Sequence, residues 1–202
     1  MSKGIIAEIE KRVEISEPGT IFLTKDFTDI ATNTTVRKCL GRQVEAGNLR
    51  RVMNGVYEKP AYSNLLKQYL PTDPDNVANA IAKTYRWTIA PCGDLALNKL
   101  GLSTQVPAKW SYISDGPYRD FTWDNITIEF KHRTNREISQ ISIFTIMLIE
   151  AVRTLGKERI DEHILKQIRD LIPESKKESV LEESKSSADW IYEIIRRACT
   201  KE

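Results

Sequence analysis

Residues 33–60 read NTTVRKCLGRQVEAGNLRRVMNGVYEKP, and the hydrophobic period changes partway through them. At about 100° per residue, Val36, Cys39, Leu40, Gln43 and Val44 fall on one side of a helix, and Thr34, Thr35, Lys38, Gly41 and Arg42 fall on the other. Asn33 or Thr34 is placed to cap the start, and Gly47 stands where a left-handed residue ends a helix. LRRVM and VYEKP then flank Asn54-Gly55, the preferred pair for a two-residue type I′ turn, so the spacing predicts a β-hairpin.

Upstream, Ile5, Ile6, Ile9 and Val13 recur at helical spacing until Pro18-Gly19 stops them. Thr20 to Leu23 reads as a short strand, and one or two helical turns carrying Phe27 and Ile30 follow. Helix, strand, helix, helix, hairpin is the order of a winged helix-turn-helix, which the sequence predicts for residues 1–60. Residues 33–55 carry Arg37, Lys38, Arg42, Arg50 and Arg51 against Glu45 alone, a local charge of +4 in a chain whose total is +2. A basic helix beside a basic hairpin suits duplex DNA, with the helix in the major groove and the hairpin over flanking phosphates. Thr34, Thr35, Arg37, Lys38, Arg42, Arg50 and Arg51 are the expected DNA-binding residues. Arg50 and Arg51 point to opposite faces of their strand, so only one is expected to meet DNA squarely. Gly41 in mid-helix costs about 1 kcal/mol relative to alanine, which implies close approach by a phosphodiester backbone or by the first helix.

The 202 residues, 41% of them apolar, suffice for one large domain or two small ones. Cys39, Cys92 and Cys199 lie far apart with no CxxC spacing, so neither a disulfide framework nor a metal site is expected, and reduced thiols in the cytoplasm are the default. The amino terminus lacks the pattern of an export signal, and no stretch approaches the roughly 18 apolar residues that would span a bilayer. Phosphate-binding loops, dinucleotide fingerprints, HExxH and GxSxG are absent, so no cofactor and no enzymatic activity are expected. His132 and His163 read as structural or surface histidines, and Asp115 and Asp120 as turn residues. Trp110, Tyr112, Phe121 and Trp123 read as half-buried strand aromatics in preference to a platform for RNA bases.

After Pro60 the chain changes character. AYSNLLKQYLPTDP reads as a connector with two prolines, and Asp73-Pro74 opens a helix. RWTIAP, AKWSYISDG, YRDFTW and NITIEFKHR read as strands, with CGDLALNKLGL a helix closed at Gly101. From Ser139 the chain is helical: SQISIFTIMLIEAVRTLG is apolar nearly all round and KERIDEHILKQIRDLI is amphipathic. ESKKESVLEESKSS reads as a loose polar segment before a last helix with Trp190, Ile191, Ile194 and Ile195. The expected fold class is therefore α+β, a winged helix-turn-helix domain followed by a mixed α/β domain, residues 61–202, ending in helices.

The stretches RVMNGVYEKP, IAPCGDLALNKLGLSTQVPAKWSYISDG and ITIEFKHRTNREI together resemble the AbiEi family of type IV toxin-antitoxin antitoxins, most specifically over residues 100–116. The resemblance implies a repressor of its own operon that binds double-stranded promoter DNA, with repeated half-sites. It also implies a second domain that counteracts a nucleotidyltransferase toxin, with or without direct contact. Lys131, Arg133 and Arg136, which follow the strongest strand, are the candidate antitoxin surface; a solvated edge that deters strand pairing is the plainer reading. Two alternatives stand beside this: a winged-helix regulator whose second domain senses a ligand or oligomerises, and a nucleic-acid-processing enzyme.

Overall fold

The computed structural model describes residues 2–134, 138 and 140–200 and gives a mixed α/β protein. The chain divides into two compact units, Met1–Arg86 with Thr122–Ile126, and Trp87–Phe121 with Thr127–Glu202.

In the first unit, α1 (Ser2–Glu14) leads to β1 (Ile21–Leu23), a 3-10 turn (Thr24–Phe27), α2 (Asn33–Glu45), β2 (Arg50–Met53) and β3 (Val56–Glu58). The strands form an antiparallel sheet in the order β1-β3-β2, with Ile21 opposite Glu58 and Phe22 opposite Tyr57. Ile9 and Val13 of α1, Val36 and Leu40 of α2, and Phe22 and Phe27 make the buried centre, each burial contributing roughly 1.5–3 kcal/mol. The end of α1 is held from a distance. Lys59 Nζ donates to the carbonyls of Val13, Glu14 and Ser16 at 3.1, 2.7 and 2.6 Å, satisfying groups that the helix itself leaves open.

Several local details differ from the sequence expectation. The cap of α2 is Thr32, whose hydroxyl accepts from Thr35 N at 3.5 Å. Of the segment carrying Phe27 and Ile30, Thr24–Phe27 is a single 3-10 turn and Ile30 lies in the turn after it: Asp26 Oδ2 accepts from Leu23 N and Thr28 Oγ1 donates to the Lys25 carbonyl, bonds that compete with an α-helical ladder. At the hairpin tip Gly55 has φ +77° while Asn54 is not in the positive-φ region, so the turn is not type I′. The ladder compensates with a bulge between Arg51 and Met53.

The expected connector contains a second hairpin, β4 (Tyr62–Ser63) and β5 (Gln68–Tyr69), with the Tyr62 and Tyr69 rings edge to face at 5.2 Å. Its strands are two residues long, too short for a period to register. Then α3 (Pro74–Tyr85) starts with Asp73 accepting from Asp75 N at 2.9 Å and Pro74 in the first turn, and Arg86 ends it at φ +59°.

In the remaining chain, β6 (Ile89–Pro91), α4 (Gly93–Lys99), β7 (Trp110–Ser114), β8 (Arg119–Trp123) and β9 (Ile126–His132) build a mixed sheet in the order β6-β7-β9-β8. β6 runs antiparallel to β7, and β7 parallel to β9, with Tyr112 opposite Phe130. Their rings stack at 5.9 Å, and the Trp87 ring meets Phe130 at 5.5 Å. Tyr112 is therefore core, as is Phe130.

Among the described residues that follow are helices α5 (Ile143–Leu155), α6 (Glu162–Leu171), α7 (Lys177–Ser184) and α8 (Asp189–Cys199). Leu148, Ala151 and Val152 of α5 are buried with Leu165 and Ile168 of α6 and Ile191 and Ile195 of α8, which is why α5 is apolar nearly all round. Residues 174–187, expected to be loose, instead form a 3-10 turn (Glu174–Lys176) and α7. Val180 is buried in this core and Leu181 packs against it, two anchors too few to stand out among charged neighbours.

Gly116 lies under Trp87, and a Cβ placed there runs into the indole. Gly116→Ala is expected to destabilise the protein by about 1–3 kcal/mol, read as a lower urea midpoint with an unchanged m-value.

Candidate functional site

The outward arc of α2 follows from its cap and its period. Thr34, Arg37, Lys38 and Arg42 are exposed and Thr35 is half-buried, its hydroxyl 3.1 Å from that of Thr32. Among the described residues, Arg37, Lys38 and Arg42 have no ion-pair partner. Among the described residues, nothing outside Gly41's own stretch of α2 lies within 4 Å of where its Cβ would stand, which removes packing against α1 as the reason for that glycine. Gly41 instead lines an open groove of about 430 Å³ between α2 and the hairpin, with Arg37 and Glu45 on one wall and Arg51 and Asn54 on the other.

The two hairpin arginines have different environments. Arg50 lies directly opposite Glu58, which is only 3% exposed. Its Nε donates to Glu58 Oε2 at 2.9 Å, a terminal nitrogen makes a second bond to the same oxygen, and that nitrogen also reaches the Leu70 carbonyl at 3.0 Å. Thr72 Oγ1 donates to Glu58 as well, at 2.6 Å. Arg50 is thus a structural residue, tying the hairpin to the segment after it. Arg51 is exposed, with one long bond of 3.3 Å to Asn54 Oδ1, and is the hairpin cation available to a partner.

In the second unit, the expected antitoxin residues are less open. Lys131 Nζ lies 3.5 Å from Glu129, which also accepts from Lys109 at 2.6 Å and from the Ser111 hydroxyl at 2.8 Å. The Lys109 hydrogen bond, against an opposing cost of burial, holds the Glu129 carboxyl below its usual range, with Ser111 and the Lys131 charge adding to the effect. Arg133 is half-buried and donates to the His132 carbonyl at 3.2 Å; Arg136 lies outside the described residues.

The histidines and carboxylates set aside in the sequence have ordinary surroundings. His132 Nδ1 is 2.8 Å from the Gly116 carbonyl; an oxygen that only accepts requires the proton on that nitrogen. Asp115 Oδ1 accepts from Thr88 N at 2.9 Å, and Asp120 and His163 are exposed. All three cysteines are buried, and burial, helped by Glu150, pushes the Cys92 thiol up to about 12. Among the described residues no cluster of His, Cys, Asp or Glu could hold a metal ion, and no helix is long and apolar enough to cross a membrane.

Taken together, the elements define a mixed α/β protein with unpaired cations on one helix and one hairpin strand. The chain belongs to the family of unknown function DUF6088, whose model matches residues 8–180. Among curated proteins none matches it.

Arg50→Ala leaves a buried carboxylate with only the Thr72 hydroxyl, and is expected to cost about 1–3 kcal/mol of stability. Arg51→Ala is expected to change stability by no more than about 0.5 kcal/mol. Equal losses in parallel urea titrations would contradict the division between them.

Proposed function

We propose that the first unit is a winged helix-turn-helix that binds double-stranded DNA, with α2 as the recognition helix and β2–β3 as the wing. The observation carrying this reading is the set of α2 cations that have no ion-pair partner among the described residues, one of which, Arg37, shares with Arg51 a groove where Gly41 presents no side chain. A glycine there lets a phosphodiester backbone approach the helix closely, while Lys38 and Arg42, one turn apart, neutralise phosphates or donate to base edges. Arg51 takes a flanking phosphate, and Arg50 holds the wing in shape through Glu58.

The protein then acts as a DNA-binding antitoxin of the AbiEi type, repressing its own operon in the cytoplasm and counteracting a nucleotidyltransferase toxin encoded beside it. Support for this half is the resemblance carried by residues 100–116 and by ITIEFKHRTNREI. Lys131 and Arg133 are the described part of the surface assigned to it.

The test separates the two roles. Wild-type protein should bind the segment upstream of its own reading frame with an affinity that falls steeply with salt. Lys38→Ala with Arg42→Ala should flatten the log–log salt slope by about one to two. The same double variant should still rescue growth when the neighbouring toxin is expressed. An unchanged salt titration would remove the DNA assignment, and absence of rescue by wild-type protein would remove the antitoxin assignment.

A further inference from the structure

The β4–β5 hairpin of the first unit holds five large apolar side chains in solvent. Leu65 in its turn is 91% exposed, and Tyr62, Leu66, Tyr69 and Leu70 are 37–63% exposed. Exposed leucines are ordinary singly, but a group of them within residues 62–70 is the mark of a surface that something covers. The hairpin is also well tied. Leu66 N donates to Ser63 Oγ at 3.1 Å across the turn, Leu70 N donates to the Ala61 carbonyl at 2.8 Å, and Arg50 holds the Leu70 carbonyl at 3.0 Å. The apolar groups are therefore presented on a fixed frame, which lowers the ordering cost of an association. Two further features bear on what associates. From residue 61 to residue 72 Lys67 is the one charged side chain, and among the described residues no third strand joins β4 or β5, so both outer edges are open.

We propose that this hairpin is a self-association surface, on which a second copy of the chain docks its own hairpin about a two-fold axis. Charge complementarity selects that occupant. A charged partner surface would lose water against tyrosine and leucine without gaining an opposite charge, whereas the same hairpin on another copy is as apolar and as nearly neutral. A two-fold axis brings a patch against itself, and an open strand edge pairs antiparallel with the same edge of a copy, so one hairpin supplies both halves of the contact. Lys67 of each copy keeps its ammonium in water at the rim while its stem lies on the apolar surface. The area suffices for a weak complex. Taking roughly 200 Å² for a whole large side chain, the five expose roughly 600 Å² in one copy and about 1,200 Å² in two, above the roughly 1,000 Å² of a specific interface and at the low end of stable ones. The proposal rests on neither DNA binding nor the antitoxin reading, and their failure leaves it standing.

The experiment is sedimentation equilibrium of the full chain between about 1 and 200 µM, where mass action moves a weak dimer from mostly dissociated to mostly formed. The expected result is an average mass that rises with concentration from one chain toward two and stops there. Leu65→Asp and, separately, Leu66→Asp should each weaken the dimer by at least about tenfold, since each places a carboxylate in the apolar contact twice over. Both positions are exposed, so the urea midpoint should stay at the wild-type value. Val106→Asp, at a position outside the hairpin that is 84% exposed, should leave the dimer as it was. A single-chain mass at every concentration, a dimer untouched by both hairpin variants, or equal weakening by Val106→Asp would overturn the proposal. So would a monomer that floats with phosphatidylcholine vesicles and loses them on Leu65→Asp, which would make the hairpin a lipid contact.

Discussion

The first unit is organised around one buried carboxylate. Glu58 sits at the end of β3, almost without exposure, and must have donors because an ionised group removed from water without them is costly. Arg50 comes from the strand opposite and Thr72 from the chain beyond the second hairpin, while Arg50 also reaches back to the Leu70 carbonyl. A single charge therefore sets the register of β2 on β3 and the path of residues 59–72. With an ideal two-residue turn Arg51 would stand opposite Glu58; the bulge before Met53 puts Arg50 there instead. Which arginine faces outward is decided by that one extra residue.

The second unit depends on a different constraint. α5 is buried nearly all round, so helices α4, α6, α7 and α8 must cover it, and its polar Glu150 must find a cation. Arg153 meets that need from the same helix at i+3 spacing. The sheet contributes its own face through Ala90, Cys92 and Ile113, which meet Ile146. This layering brings Arg133, at the end of β9, to the margin of an aliphatic surface.

Elements with a long period and marked ends were legible in the sequence: α1, α2, α3 with its Asp73-Pro74 start, and the apolar α5 all stand where spacing puts them. Segments shaped by distant partners were not. The polar α7 is held by Val180 and Leu181 against helices elsewhere in the chain, and the 62–69 hairpin is too short to show alternation. For the candidate interface, the exposed arc of α2 follows from helical geometry alone, so Thr34, Arg37, Lys38 and Arg42 were readable. The roles of Arg50 and Arg51 were not, because they turn on a bulge and on the burial of Glu58, neither of which has a local signature. VYEKP reads as an ordinary strand end, and only an opposite-charge pairing across the hairpin would have drawn attention to its glutamate.

Lys59 bears on the order in which the first unit assembles. Its ammonium caps the end of α1 across 43 to 46 residues of intervening chain. An isolated 13-residue helix is marginal in water; Ile15 and Ser16 serve the carbonyls of Lys11, Arg12 and Val13 locally, but the carbonyl of the last helical residue, Glu14, takes its donor from Lys59, just past β3. Helix completion and sheet closure are thereby coupled events, with the loop-closure entropy borne before either is rewarded. A neutralised Lys59, as after acetylation, would separate the two and let the amino-terminal helix fray while the hairpin persists.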